Sequence, residues 1–162
     1  MGTPVEINPL NFASSSTVIY PVNRSVRLRS SASAYLTRTP SVATNRQKYT
    51  LSMWIKRGSL GSRQEFYACG SGGSGQNADT WQFDAADTLS FYNVTQAVNV
   101  YVQYTTTQVF RDPSAWYHLV ASVNTPSSTI TFYVNGTKIN SFSTVIAPSA
   151  NFAMQTNNTT AV

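Results

Sequence analysis

The sequence predicts an all-β protein, and three observations support that prediction. Apolar and polar residues alternate with a period of two in several segments, most clearly in Tyr49 to Lys56 and Trp116 to Val123. Turn-forming residues separate these segments at short intervals, and no stretch of useful length shows the 3.6-residue period of a helix. The 162 residues are enough for one domain with a substantial core.

The N-terminal part is predicted to be an extended arm over residues 1–22. It contains three prolines and no sustained alternation, which disfavours a core strand. The domain proper is predicted to span residues 23–162. Val26 to Leu28 and Tyr35 to Thr37 predict its first two short strands, and Pro40 ends the second.

Further strands follow from the same alternation. They are predicted at Tyr49 to Lys56, Glu65 to Cys69, Thr80 to Phe83, Thr88 to Tyr92, Ala97 to Tyr104, Trp116 to Val123, Ile130 to Val134 and Ile139 to Val145. The strand from Trp116 is largely apolar on both faces, which favours an interior position in a layered structure. Asn135 and Gly136 predict a type I′ hairpin, because both residues tolerate a positive φ.

Several of these segments resemble one known family. The run from Trp116 to Lys138, with its Trp-x-His strand and FYVNG turn, is similar to a signature of concanavalin A-like, laminin-G-like jelly rolls. Ala34 to Pro40, Tyr49 to Gly58 and Thr107 to Trp116 resemble the version carried by tailed-phage virion proteins. The resemblance implies two packed antiparallel sheets and a place in a virion, whereas fold alone does not fix a ligand.

The resemblance also implies an incomplete C-terminal edge. Relatives continue with a further strand after the hairpin, whereas here the chain ends soon after Ile139 to Val145. Either the sequence is a fragment of a longer protein, or another chain supplies the missing edge. Because an unpaired sheet edge promotes aggregation, we expect a partner strand or arm to cover it.

The charge distribution predicts an acidic partner. Residues 1–63 hold nine basic residues and one acid, whereas residues 64–162 hold two basic residues and five acids. We expect Arg24, Arg27 and Arg29 to contact that partner, which is another virion protein or a second copy of this chain. Nucleic acid is not expected, because no helix, aromatic pair or zinc module organises the basic residues. No apolar run suits membrane insertion.

The sequence offers no set of catalytic residues. A glycosidase of this fold would need two carboxylates spaced along one strand, and no such pair can be drawn from the six acids. The single histidine, His118, would need a nucleophile and an acid beside it to form a triad. We therefore predict a hydrogen-bonded core histidine, a buried structural Cys69 and a protein that is not an enzyme.

The sequence suggests two kinds of ligand, a calcium ion and a glycan. Asp79, Asp84 and Asp87 cluster near one strand and its turn, so they are the candidates for calcium, a metal that laminin-G relatives bind at a sheet rim. The alternative is that they are turn-forming acids bonded to local amides, and no cofactor is otherwise expected.

Glycan binding needs exposed aromatic faces beside amides and hydroxyls, since sugars present apolar C–H patches ringed by hydroxyl groups. Trp81, Asn93 and Tyr101 are the predicted contact residues. The favoured function is a non-enzymatic structural protein on the surface of a tailed-phage particle, in the capsid or tail, that also touches glycans. A free lectin-like module is the alternative.

Overall fold

The computed structural model describes residues 24–70, 77–95 and 99–159. The chain divides into two units, Met1–Leu36 and Thr37–Val162. The predicted N-terminal arm lies outside the described residues, as do residues 71–76 and 96–98. Among the described residues no helix has the length and apolar character needed to cross a membrane.

The described part of the first unit contains one short 3₁₀ helix, Ser30–Ala32. The strands predicted at Val26 to Leu28 and Tyr35 to Thr37 are wrong, since both segments are irregular and their apolar side chains are exposed. A strand needs a neighbour for its backbone N–H and C=O groups, and no described residue pairs with either segment. Alternation over three residues is too short to specify such pairing.

The second unit is an antiparallel sandwich of two sheets, as predicted. Its strands are β1 Lys48–Lys56, β2 Gln64–Gly70, β3 Ala78–Phe83, β4 Thr88–Thr95, β5 Asn99–Val109, β6 Trp116–Asn124, β7 Thr129–Val134, β8 Thr137–Lys138 and β9 Phe142–Ile146. One sheet has the order β1-β6-β7-β8, and the other has the order β2-β3-β4-β5-β9. This arrangement is that of a concanavalin A-like jelly roll.

The four-stranded sheet follows from strict alternation in its sequence. Every second residue of β1 is half-buried, from Tyr49 to Ile55, and the residues between them are exposed. The same parity holds in β6, which pairs with β1 without a register shift over nine residues. The strand predicted to be interior does lie inside its sheet, between β1 and β7.

A tight turn joins β7 to β8. Asn135 and Gly136 have φ values of 50° and 80°, so the predicted hairpin with two left-handed residues is present. The strand predicted from Ile139 to Val145 is present only in its second half, as β9 Phe142–Ile146, and the short strand β8 Thr137–Lys138 precedes the predicted segment. Another boundary differs as well, because β4 continues through Asn93 to Thr95, beyond the predicted end of that strand at Tyr92.

The core lies between the sheets and is dominated by aromatic rings. Phe132 is central, with ring centroids 6.2 Å from Trp81, 5.8 Å from Phe91 and 5.2 Å from Tyr104. These contacts join β7 of one sheet to β3, β4 and β5 of the other. Aromatic pairs at such separations stabilise beyond the area that they bury.

The residues after β9 close one end of the sandwich. Met154 is fully buried, and its backbone exchanges two hydrogen bonds with Arg46: its N–H donates to the Arg46 oxygen at 3.2 Å, and its own oxygen accepts from Arg46 Nε at 2.6 Å. The Thr125 hydroxyl donates to the Phe152 oxygen at 2.7 Å. Strands β2 and β9 form the edges of the larger sheet. A partner covering such an edge stays a prediction.

Candidate functional site

The outer face of the four-stranded sheet carries two exposed tryptophans. Trp54 is 61% exposed and Trp116 is 45% exposed. The strand pairing makes them near neighbours, because Trp54 lies opposite His118 and Trp116 lies opposite Lys56. We call this surface the tryptophan face and define it by Trp54, Trp116, His118, Tyr133, Lys56 and Lys138.

The tryptophan face is held in place by its neighbours. The rings of Trp54 and His118 stack with centroids 4.8 Å apart and an interplanar angle of 16°. His118 Nε2 is hydrogen-bonded to the Ser52 hydroxyl at 2.9 Å. The prediction of a core histidine is therefore wrong, because the parity of β6 turns this side chain outward and only half-buries it.

The hairpin turn fixes the backbone beneath the same rings. The His118 N–H donates to Asn135 Oδ1 at 2.8 Å, and the Asn135 N–H donates to the His118 oxygen at 2.9 Å. Tyr133 lies opposite Val120 and Lys138, so its ring stands on the same face. The result is a set of planar rings on a regular sheet, and exposed apolar surface of this kind marks an interaction site.

The structure places two of the three predicted glycan contacts in the interior. Trp81 and Asn93 are both 0% exposed. Trp81 packs against Phe66 at 5.5 Å, because β3 presents its apolar alternate residues to the core. These two assignments are corrected, since a buried side chain cannot contact a sugar in this fold. Tyr101 is 43% exposed and stacks on Phe152, and its role stays a prediction.

Asp79 lies in the interior, where it joins two parts of the chain. Its Oδ1 accepts a hydrogen bond from Asn93 Nδ2 at 2.6 Å. Its Oδ2 accepts from the N–H and the hydroxyl of Thr156 at 2.6 and 2.8 Å. Burial raises the pKa of this carboxyl above its ordinary value. Asp79 therefore ties the C-terminal segment to β3.

The other two calcium candidates have different partners. Asp84 accepts hydrogen bonds from Gln82 Nε2 and from the Ser90 hydroxyl. Asp87 pairs with the buried Arg57 at 2.8 Å, and its pKa is lowered first by the Gly61 N–H and then by that arginine. In the parts of the chain that the structure describes, no three His, Cys, Asp or Glu side chains form a metal-binding group.

The remaining predicted residues lie in separate places. Arg24, Arg27 and Arg29 are exposed in the first unit, and within residues 24–70, 77–95 and 99–159 none of them forms an ion pair. Their contact with a partner stays a prediction. Cys69 is buried, as predicted, and its thiol donates to the Gln155 oxygen at 3.2 Å.

Sequence reasoning missed the tryptophan face, although its signal was present. Trp54 shares the polar side of β1 with Thr50, Ser52 and Lys56, and the opposite side holds the apolar residues that face the core. A tryptophan on the polar side of an alternating strand is predicted to be exposed. The exposure of Trp116 does not follow from its strand in the same way, because both sides of that strand are largely apolar.

Two antiparallel sheets of four and five strands that pack on an aromatic core are the architecture of the jelly-roll class. Comparison with family models agrees. A laminin G-type model, described as the concanavalin A-like lectin/glucanases superfamily, matches residues 30–160. The chain therefore belongs to this superfamily, whose members include lectins and glucanases. Searches of curated proteins and of solved structures find no match.

Proposed function

We propose that this chain is a non-enzymatic carbohydrate-binding module whose tryptophan face contacts the glycan. One observation carries the proposal: Trp54 and Trp116 stand exposed on one regular sheet face, and Trp54 is stacked on His118. Large apolar rings usually bury most of their surface, so a pair left exposed indicates a ligand that covers it. Membership of the superfamily favours a sugar as that ligand.

The chemistry of the face suits a sugar. The indole rings offer planar apolar surfaces for C–H patches. The Ser52 hydroxyl lies next to Trp54 on the same face, and the paired Thr50 and Ser122 carry further hydroxyls along the sheet for the sugar hydroxyls. The Trp54 ring is already ordered by stacking on His118, whose backbone is held by Asn135, so this ring loses little conformational entropy on binding.

A binding role without catalysis is supported by the positions of the acids. Glycoside hydrolysis by two carboxylates needs a pair roughly 5 to 9.5 Å apart across the scissile bond. Asp79 is a fully buried residue of β3, and Asp87 is engaged by Arg57 and Arg111. Neither is free to act on a sugar held at the tryptophan face.

The test compares three exposed-aromatic variants by glycan array and titration calorimetry. Trp54→Ala and Trp116→Ala are each expected to weaken glycan binding by at least tenfold, and the double variant to abolish it, because most of the apolar contact is lost. Tyr101→Ala is the matched control and also tests the other predicted contact. If the double variant binds like the unaltered protein while Tyr101→Ala does not, the site lies near Tyr101 instead.

The setting in which the module acts is a second part of the proposal. The segments at 34–40, 49–58 and 107–116 resemble tailed-phage virion proteins, which supports display on a particle together with other virion proteins or copies of the chain. Arg24, Arg27 and Arg29 would then contact an acidic neighbour. Mass spectrometry and immunogold labelling of purified particles test this. Absence from particles, together with monomeric glycan binding, would favour a free lectin.

A further inference from the structure

The outer face of the four-stranded sheet is cationic as well as aromatic. Strand parity places on this face every second residue from Lys48 to Lys56, from Trp116 to Asn124 and from Thr129 to Tyr133, with Lys138 opposite Tyr133. These positions include three lysines and neither aspartate nor glutamate. The charged side chains that a ligand meets on this face are therefore all positive.

Two of the lysines flank the aromatic rings. Lys56 stands beside Trp116 at one corner, and Lys138 stands beside Tyr133 at the opposite corner. The corners are separated by three strand spacings, roughly 14 Å, and by four residues along the strand, roughly 13 Å. A ligand that reaches both lysines across the rings is thus an extended chain and not a single sugar.

Both lysines are available for a ligand. Among the described residues, neither Lys56 nor Lys138 has a carboxylate within ion-pair distance. Asp112 is an acid that Lys56 influences from further away. Its pKa is lowered chiefly by hydrogen bonds from the hydroxyl and N–H of Ser114, at 2.6 and 2.8 Å, and only to a lesser extent by Lys56.

We propose that the tryptophan face binds an acidic polysaccharide. Lys56 and Lys138 pair with its carboxylate or sulfate groups, while neighbouring sugar rings stack on Trp54 and Trp116. This inference rests on the proposed carbohydrate-binding function and names the chemical class of the ligand. Charge complementarity favours that class, because an anionic chain gains an attraction to both lysines that a neutral glycan lacks.

A single-stranded nucleic acid is also anionic and has rings that stack. It is less well matched, because proteins that bind it without sequence preference track the phosphate backbone with a positively charged groove. Here the sheet face is regular, carries no arginine and separates its two flanking lysines by the width of the sheet. Oligo(dT) therefore serves as the competitor in the test.

The experiment uses polysaccharide pairs that differ in charge alone. Polygalacturonate is compared with its carboxyl-reduced form, and dextran sulfate with dextran, by titration calorimetry at low and high salt. We expect at least one acidic member to bind tenfold or more tightly than its uncharged counterpart. The difference should shrink at about 1 M salt, where the screening length falls to about 3 Å. A charge-dependent difference in the polygalacturonate pair would indicate carboxylate recognition, and one in the dextran pair would indicate sulfate recognition.

Lysine variants locate the charge contact. Lys56→Gln with Lys138→Gln should weaken binding of the acidic member by roughly tenfold, since two exposed ion pairs are lost, and should weaken binding of the uncharged member by a clearly smaller factor. Lys48→Gln is the matched control on the same face, at the far end of β1 from the rings. It should change affinity by less than about twofold.

The outcomes separate the two proposals. If both members of each pair bind equally and Trp54→Ala with Trp116→Ala abolishes that binding, the acidic ligand is wrong and the carbohydrate function stands. If the tryptophan variant binds every polysaccharide as the unaltered protein does, the proposed site itself is wrong. Oligo(dT) that binds more tightly than any polysaccharide and displaces it would overturn the inference in favour of nucleic acid.

Discussion

Environment decides what each aspartate of this chain does. Asp79 and Asp87 are eight residues apart in a sequence with few charges, yet their pKa values shift in opposite directions. Asp79 lies inside the sandwich, where desolvation disfavours its ionised form. Asp87 receives the Gly61 N–H and two arginines, which favour its ionised form. Spacing in the sequence grouped them as one metal site, whereas the fold gives them separate structural roles.

Asp79→Ala should destabilise the fold by about 2 to 4 kcal/mol. The change leaves the Thr156 N–H and the Asn93 amide buried without an acceptor, and each such group costs about 1 to 3 kcal/mol. Removing the carboxylate also removes the cost of its desolvation, so the loss of stability should be smaller than the summed cost of the unsatisfied groups. The free energy of unfolding in urea measures the effect.

Glu65→Ala is the control for the Asp79 variant. Glu65 lies on the adjacent strand β2, and it forms an exposed pair with Arg63 at 2.6 Å. Such a pair contributes less than about 1 kcal/mol. Equal losses in the two variants would contradict the structural role assigned to Asp79.

At the scale of the strand, alternation predicted most of the sandwich. The bounds of β1 and β6 were identified almost to the residue. In β1 the alternation of apolar and polar residues leaves one register that buries the apolar side. The three-residue patterns near Val26 and Tyr35 failed, since a short extended segment becomes a strand only where a neighbouring strand pairs with it. That pairing is a tertiary property and cannot be seen in three residues.

The tryptophan face was predicted less well than the strands, although the alternation along single strands indicates which of its side chains are exposed. Identifying an exposed aromatic residue requires knowing which side of its strand faces the core. In β1 the apolar side is obvious, so Trp54 could have been assigned to the surface. In β3 the order Thr80, Trp81, Gln82, Phe83 equally marks Trp81 as inward. Both assignments follow from parity along single strands, without knowledge of the whole fold.

Gly136→Ala should destabilise the protein by about 1 to 2 kcal/mol through the β7–β8 hairpin. Gly136 has φ +80°, and an added Cβ would meet nothing within 4 Å, so the cost comes from the left-handed backbone alone. Gly58→Ala is the control, because its Cβ would make an ordinary contact of 3.6 Å with Gln64. It should shift the free energy of unfolding by no more than about 0.5 kcal/mol. Similar losses in both would rule out the backbone explanation.

At the scale of the sandwich, the two sheets share one core and are expected to unfold together. Phe132 of the four-stranded sheet contacts rings from four strands of the other sheet. Neither sheet can therefore keep its apolar side covered after the other is lost. Tryptophan fluorescence can follow the unfolding of each sheet separately, since Trp54 and Trp116 belong to one sheet and Trp81 belongs to the other.

Fluorescence of two variants can test this cooperativity. Trp81→Phe leaves reporters in the four-stranded sheet, and Trp54→Phe with Trp116→Phe leaves one in the five-stranded sheet. In each variant the fluorescence midpoint in urea should coincide with the midpoint from circular dichroism, because a shared core gives one transition. Adding Phe132→Ala should lower both midpoints together, with a loss of about 3 to 5 kcal/mol. A fluorescence midpoint that departs from the circular dichroism midpoint in either variant would mean that the sheets unfold separately.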